Sequence, residues 1–398
     1  MLPSVTHVSF SQTGGAGSVA QILMDAQRQT GRRSSFAHVI SQNLRSQPFS
    51  APLHTVTAGI DEYVLKNREF DAPISLFRDW VSGRLSESPD DSDIVHLHNI
   101  NGVAPLRDIA RMWGKKKVLW TLHDMNPFTG ACHYSLDCEG FTQGCGNCPA
   151  VKSIARNMVT TALADKASAI REFADLKIVA PSTWLANLAR ESTVFQGIEV
   201  AVIPNPFAPE FVKVPSRQSS NAGSDSSAAH YTFCVVAQNL SDPVKNVRDA
   251  IEAFRALRNT SPESTMALVG HGGQEFAGEG ISLLGRLDRS ELASVLSTTD
   301  ALISSSRAEN SPLVIIEAAA MGCRSLVRDV GGMPELITQL GAGASFSNAE
   351  ALFHAMDSVA HESPAQTNKI RANLVKAAHL HYSPATIASS YDAIYEYQ

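Results

Sequence analysis

From end to end, short apolar runs of strand length alternate with stretches of helical periodicity, and that alternation restricts the chain to parallel α/β architecture. The early runs are His7-Val8-Ser9-Phe10, Ile94-Val95-His96-Leu97, Val118-Leu119-Trp120-Thr121, Ile178-Val179-Ala180 and Val200-Ala201-Val202-Ile203. A second series starts at Tyr231-Thr232-Phe233-Cys234-Val235-Val236 and continues at 266–269, 281–284, 301–303 and 325–327. Most of these runs pass straight into polar or glycine-rich loops. In open α/β sheets ligands bind beyond the carboxyl ends of the strands, so those loops are where chemistry is expected.

Between the two series stands Pro204-Asn205-Pro206, where two prolines favour an extended connector over a helix. A domain boundary is expected there, with residues 1–205 on one side and 206–383 on the other. Residues 216–230 are polar and of low complexity, which predicts a mobile surface loop. At 398 residues and 44% hydrophobic, the chain can build two cores of ordinary size. No apolar run approaches the roughly 18 residues that would span a bilayer, and the N-terminal residues lack the basic and apolar regions of a signal peptide, so a cytoplasmic location is the expectation.

The net charge of −6 is unevenly placed: residues 206–398 hold 14 Lys and Arg against 20 Asp and Glu, whereas the first 205 residues are balanced. With no basic stripe, nucleic acid is not an expected partner. Lys115-Lys116-Lys117 reads as a solvated turn before a strand, with a peripheral membrane contact at the inner face left open.

The richest segment for function runs from Ser305 to Ala318. Ser311 suits an N-cap, Pro312 the first helical position, and Gly322 a helix end, so Glu309 falls in the loop and Glu317 in the second turn. Between them lie free N–H groups at the positive end of a helix dipole, a seat for a diphosphate with a carboxylate on each side. Carboxylates bind sugar or ribose hydroxyl pairs through charge-assisted hydrogen bonds. The plainer alternative is two acids complementing the dipole.

Gly14, Gly15 and Gly17 follow the first strand and precede a helical pattern starting near Val19, allowing a tight turn and close approach to a ligand. A dinucleotide fingerprint is disfavoured, because Phe36-Ala37-His38-Val39-Ile40-Ser41 supplies no acid at the end of the second strand. Lys245 follows the first strand of the second series, where an ammonium can act against phosphate. Asp91-Ser92-Asp93 leads directly into a strand and reads as a capped turn, not a metal ligand set.

Taken with Gly14-Gly15-Ala16-Gly17, His96-Leu97-His98-Asn99, Leu122-His123-Asp124-Met125, Ala180-Pro181-Ser182, Ile203-Pro204-Asn205-Pro206, Asp242-Pro243-Val244-Lys245-Asn246 and Gly331-Gly332-Met333-Pro334-Glu335, the segment from Glu309 to Glu317 resembles the E-x7-E motif of retaining GT-B glycosyltransferases, glycosyltransferase family 4. The similarity spans nearly the whole chain in collinear order. It implies two Rossmann-like domains facing across a cleft, the C-terminal helix 384–398 crossing back to the N-terminal, acceptor-side domain, and a donor domain at 206–383. It implies retaining transfer of a sugar from a nucleotide-sugar of UDP or GDP type to a glycan or lipid-linked acceptor, in surface polysaccharide or glycoconjugate synthesis, without a catalytic metal. A sugar phosphorylase, a nucleotide-sugar epimerase and a non-catalytic sugar-binding subunit are the rival readings.

The resemblance further implies residue roles. The glycine loop faces the donor diphosphate and the acceptor; His123 contacts the donor sugar; His96, His98 and Asn99 orient the acceptor. Glu309 holds hydroxyls of the transferred sugar and Glu317 those of the ribose, while Asn310, Ser311, Pro312 and Leu313 face the diphosphate and Arg286-Leu287 the base. Relatives place an Arg six residues before the lysine; Asn239 stands there, so phosphate neutralisation rests more heavily on Lys245.

Four of the six cysteines fall in one insertion, Cys132, Cys138, Cys145 and Cys148, ending in a C-x2-C pair. A closed structural zinc site is expected, with free thiols or disulfides as the alternatives. A subset of the resembling enzymes carries such an insertion. Cys234 and Cys323 read as core residues.

Overall fold

The structure is a computed structural model that describes residues 2–40, 50–77, 82–212 and 231–396; the polar stretch 216–230 lies outside the described residues. The chain divides into two compact units, Met1–Asn205 with Ile387–Gln398, and Pro206–Thr386.

In the first unit the order is β1 (Val5–Ser9), α1 (Gly14–Gln29), β2 (Ser34–His38), α2 (Ser50–Gly59), β3 (Ile94–Leu97), α3 (Leu106–Trp113), β4 (Lys117–Thr121), α4 (Arg156–Ile170), β5 (Asp175–Ala180), α5 (Thr183–Glu191) and β6 (Val200–Val202). Every strand pairs in parallel, in the order β2-β1-β3-β4-β5-β6. Val8, Val95, Leu97, Val118 and Trp120 are at most 1% exposed, as expected where helices cover both sheet faces. Asp93 ties β3 to β1 by accepting from the Ser4 amide at 2.8 Å and its hydroxyl at 2.7 Å. Its neighbours Pro89–Asp91 form a short 3-10 turn capped by Ser88, so this acidic run is structural. Lys116 donates to the Ser92 carbonyl and Lys117 to that of Tyr395, which commits two residues of the lysine run to the unit's own backbone.

The second unit repeats the plan with β7 (Thr232–Asn239), α6 (Val247–Leu257), β8 (Thr265–His271), β9 (Ile281–Gly285), α7 (Arg289–Thr298), β10 (Ala301–Ser304), α8 (Leu313–Ala320), β11 (Arg324–Arg328), α9 (Met333–Leu340), β12 (Ala344–Phe346), α10 (Ala349–Ala360) and α11 (Pro364–Tyr382). Its parallel sheet runs β12-β11-β10-β7-β8-β9. The last helix, α12 (Pro384–Glu396), belongs from Ile387 onward to the first unit. There Arg32, 2% exposed, pairs with Asp392 at 3.0 Å and Glu396 at 3.1 Å.

Each sheet has a topological switch point, β1 beside β3 in one and β7 beside β10 in the other, where successive connections diverge and leave a crevice at the carboxyl ends. Two helix starts differ from the sequence expectation. Helix α1 begins at Gly14, not near Val19, so the three glycines form its first turn. Helix α8 begins at Leu313 with Pro312 in the N-cap position, because Pro312 keeps an extended ψ of 123°; Ser311 therefore stands one residue outside.

Candidate functional site

The switch point of the second unit gathers the loop after β7 and the loop after β10. They are stitched together by the Arg307 amide donating to the Val244 carbonyl at 2.7 Å and the Ser305 hydroxyl donating to the Lys245 carbonyl at 3.1 Å. On this frame Lys245 Nζ forms an ion pair with Glu309 Oε1, and the Ser306 hydroxyl donates to the same oxygen at 3.3 Å. The lysine side chain stays 31% exposed, so it can still reach a ligand. Asn246, at φ 48°, turns the chain into α6 immediately after the lysine.

Behind Glu309 the backbone is clamped by a second loop. The Gly332 amide donates to the Glu309 carbonyl at 3.1 Å, and a Cβ on Gly331 (φ 63°) would lie 1.8 Å from that oxygen. Only glycine allows this approach. The sequence showed these glycines as a motif but gave no sign of the clamp, which depends on contact between distant segments.

One turn into α8, Glu317 is 7% exposed and its carboxyl has no hydrogen-bond partner among the described residues. Burial pushes its carboxyl up to about 7; nearby Arg289 pulls the other way and Glu210 adds to the rise. Arg289 and Glu210 face each other at 3.8 Å. Neither was singled out from the sequence, since they come from separate segments with no local signal. Asn310 and Ser311 are buried beside the helix start. Asn239, at the end of β7, accepts from the Ser241 amide at 3.0 Å, and Arg286 and Leu287 lie between β9 and α7, with Arg286 exposed.

The first unit holds the other predicted group. Gly14, Gly15 and Gly17 open α1, and a Cβ at Gly17 would sit 2.2 Å from the Ser11 carbonyl oxygen. Beyond β3 and β4 lies a pocket of about 200 Å³ whose lining includes His98, Asn99, Asn101, His123, Asp124 and Lys166. Two of its histidines belong to a buried chain. With Gln27 Oε1 facing His7, the His7 Nε2–H donates to it at 2.9 Å; His98 Nε2–H then donates to His7 Nδ1 at 3.0 Å, and His123 Nε2–H to His98 Nδ1 at 3.0 Å. His96 bonds Tyr395 OH at 2.6 Å and Thr121 Oγ1 at 2.8 Å.

Burial holds these imidazoles below their usual range, His7 and His123 down to about 4. They are neutral at physiological pH. His7, His96 and His98 are the trio among the described residues whose ligand nitrogens all lie within 4.8 Å of one another, yet each ring nitrogen already has a hydrogen-bond partner. The arrangement is a polar network, not a vacant metal site.

Of the predicted residues, Lys245 and Glu309 meet directly, and Asn310, Ser311, Pro312, Leu313 and Glu317 follow them into α8. His123, His96, His98 and the glycines belong to the first unit. Cys132, Cys138, Cys145 and Cys148 are free thiols lining one small pocket, and Cys234 and Cys323 are buried. Among the described residues no helix is long and apolar enough to cross a membrane.

Residues 231–362 match the family described as Glycosyl transferases group 1. WcaC of Escherichia coli K12, named for a glycosyl transferase role in colanic acid biosynthesis, is 24% identical over 376 residues, covering 85% of this chain and 86% of its own. Among solved structures, a sucrose-phosphate synthase from Thermosynechococcus elongatus aligns with a TM-score of 0.65 at 15% identity, over 99% of this chain and 98% of the other. Anabaena HepE in complex with UDP-glucose aligns with a TM-score of 0.62 at 15% identity, over 98% of both. The fold is thus the two-domain α/β fold of GT-B glycosyltransferases.

Proposed function

We propose that this chain is a retaining glycosyltransferase that moves a sugar from a nucleotide-diphosphate donor of UDP or GDP type to a hydroxyl of a glycan or lipid-linked acceptor, in the synthesis of a surface polysaccharide or glycoconjugate. The observation that carries the reading is the Lys245–Glu309 ion pair standing at the N-terminus of α8, with an unpartnered carboxyl one turn further in. A donor exchanges that pair for better partners. The ammonium turns to the diphosphate, joined by the α8 amides, and Glu309 accepts hydroxyl bonds from the sugar, while Glu317 accepts those of the ribose.

As the glycosidic bond breaks, negative charge grows on the leaving diphosphate and positive charge at the anomeric carbon. Lys245 and the fixed peptide dipoles stabilise the first. The family resemblance assigns contact with the donor sugar to His123, whose imidazole burial keeps neutral and so unable to repel the second. With no nucleophile assigned, retention is read as front-side attack in which the leaving phosphate takes the acceptor's proton and the protein supplies position. The alignment with a UDP-glucose complex and the similarity to WcaC support the donor class and the polysaccharide role.

The test is nucleotide release from UDP- and GDP-sugars, with and without acceptor, in the wild type, Lys245→Ala and Glu309→Ala, with NMR of the product anomer and a chelator control. Acceptor-dependent release that both substitutions abolish, with the anomer retained, is expected. Unchanged turnover in both variants would refute the assignment.

A further inference from the structure

We propose that Cys132, Cys138, Cys145 and Cys148 bind one zinc ion in a closed four-thiolate site that locks the loop carrying His123 and Asp124. All four cysteines line a single pocket of about 20 Å³, room for roughly one water-sized sphere, and Cys132, Cys145 and Cys148 are 6%, 8% and 4% exposed. Backbone donors are aimed at sulfur. Cys138 Sγ accepts from the Gly140 amide at 3.4 Å, while the Gly130 amide lies beside Cys145 and those of Ala150 and Val151 beside Cys148. A neutral thiol is a weak acceptor, whereas such N–H groups suit metal-bound thiolate, as supporting hydrogen bonds do around metal ligands generally. Lys166 and Arg156 add favourable positive charge beside Cys145 and Cys148.

The chain around the cysteines has little regular secondary structure. Between the isolated bridges Ile74↔Cys132 and Lys66↔Val151 its one helical element is the 3-10 turn Gly140–Thr142, and Leu136 (φ 53°) and Cys145 (φ 55°) adopt left-handed conformations. Non-glycine residues keep such angles only where their surroundings over-determine them. A tetrahedral ion joining four points of this segment does so. Bonds of about 2.3 Å put the sulfurs about 3.8 Å apart. Among the described residues no three cysteine sulfurs lie within 4.8 Å of one another, so binding draws them inward. Thiolate ligation releases the protons the thiols carry.

The consequence for the neighbouring pocket runs through His133, next to Cys132. Its Nδ1 lies 2.7 Å from Asp124 Oδ2, its Nε2 lies 2.9 Å from the Ser75 hydroxyl, and its carbonyl accepts from the Met125 amide at 2.9 Å. Fixing Cys132 fixes His133, and His133 fixes the backbone around Asp124.

Elemental analysis of the full chain, purified anaerobically from zinc-supplied cells without chelator, is expected to find about one zinc per chain. Cys138→Ser and Cys145→Ser lose the metal, Cys138→His retains it as a three-cysteine, one-histidine site, and Cys234→Ala, outside the cluster, keeps it. Refilling with cobalt gives thiolate-to-cobalt charge-transfer absorption, and a strong chelator lowers the melting temperature of the wild type but not of Cys145→Ser. Four thiols titrating with no metal present, iron in place of zinc, or a native Cys132–Cys148 disulfide would each overturn the proposal. Metal content is read without substrate, so it stands or falls independently of sugar transfer.

Discussion

Replacing Glu317 with Gln tests the site through stability and binding together. The carboxyl is pushed up to about 7 from an ordinary 4.5, chiefly by burial. Between those two values the folded state keeps a proton that the unfolded chain has lost, so this group's contribution falls as pH rises through the window and stays unfavourable above 7. At about 1.4 kcal/mol per pH unit of difference, the penalty above pH 7 is about 3 kcal/mol. Gln has the same shape and never ionises. Calorimetry of the transition of the second unit should therefore find Glu317→Gln close to wild type at pH 4.5 and about 2–3 kcal/mol more stable at pH 8. The facing charges, Arg289 and Glu210, are unchanged by the substitution.

Binding must reverse that preference. On the proposed ribose contact, two donated hydroxyls would favour the carboxylate, so uptake of a nucleotide-sugar should expel the proton from Glu317. The dissociation constant of UDP-glucose should fall roughly tenfold per pH unit on approaching 7 from below, then level off. A diphosphate esterified at both ends has no second phosphate ionisation in that range, which is why UDP-glucose and not UDP is the probe. Calorimetric titration in buffers of differing ionisation enthalpy reads the released proton directly. In Glu317→Gln the pH dependence disappears and binding weakens by about 1–3 kcal/mol at pH 8. A variant that is less stable than wild type at pH 8, together with a flat binding profile in the wild type, would refute the reasoning.

Other substitutions probe the remaining contacts. Gly331→Ala puts a Cβ 1.8 Å from the Glu309 carbonyl oxygen at a φ of 63°, and should cost about 1–3 kcal/mol of stability and at least tenfold in donor affinity by thermal shift and titration. Lys245→Ala should lower kcat/KM by about 10²–10³, and the double variant Lys245→Ala with Glu309→Gln should be more stable than the sum of the single effects predicts, because the pair no longer leaves one charge behind. Tyr395→Phe removes the hydroxyl that meets His96 Nδ1 at 2.6 Å and Gln27 Nε2 at 3.3 Å, leaving buried groups unsatisfied at a cost of about 1–3 kcal/mol in denaturant unfolding.

The strands could be read from the sequence because a parallel sheet covered by helices is apolar on both faces, so β3 and β4 are visible as Ile94-Val95-His96-Leu97 and Val118-Leu119-Trp120-Thr121 with no periodicity needed. The edge strand β12, Ala344–Phe346, has one buried residue in three and left no such mark. Helix starts were less legible where main-chain geometry and not a capping side chain sets them. Thr13 and Pro312 occupy the N-cap positions of α1 and α8 without a side-chain cap bond, and a search for Ser or Asp caps misses both. Lys245 and Glu309 were legible as candidates, but their pairing, the Gly331 approach and the Arg289–Glu210 pair around Glu317 are contacts between segments, and pattern along the chain carries no information about them.

The two units solve different electrostatic problems with what they bury. In the first, six ring nitrogens of His7, His96 and His98 are all consumed by hydrogen bonds, and burial keeps the rings neutral, so the network adds direction without charge. Such a chain of tautomers has a single sense once Gln27 is oriented, and it leaves His123 as the Nε2–H form, its Nδ1 lone pair turned away from His98. In the second, a unit with excess acid keeps one partly exposed lysine against an acid that it can exchange for phosphate. An anion there is attracted by the Lys245 ammonium and by peptide dipoles, which favours a diphosphate able to use both over a simple anion that can use only one. The buried, unpaired carboxyl of Glu317 adds a second filter, since an anion without adjacent hydroxyls leaves that group unsatisfied.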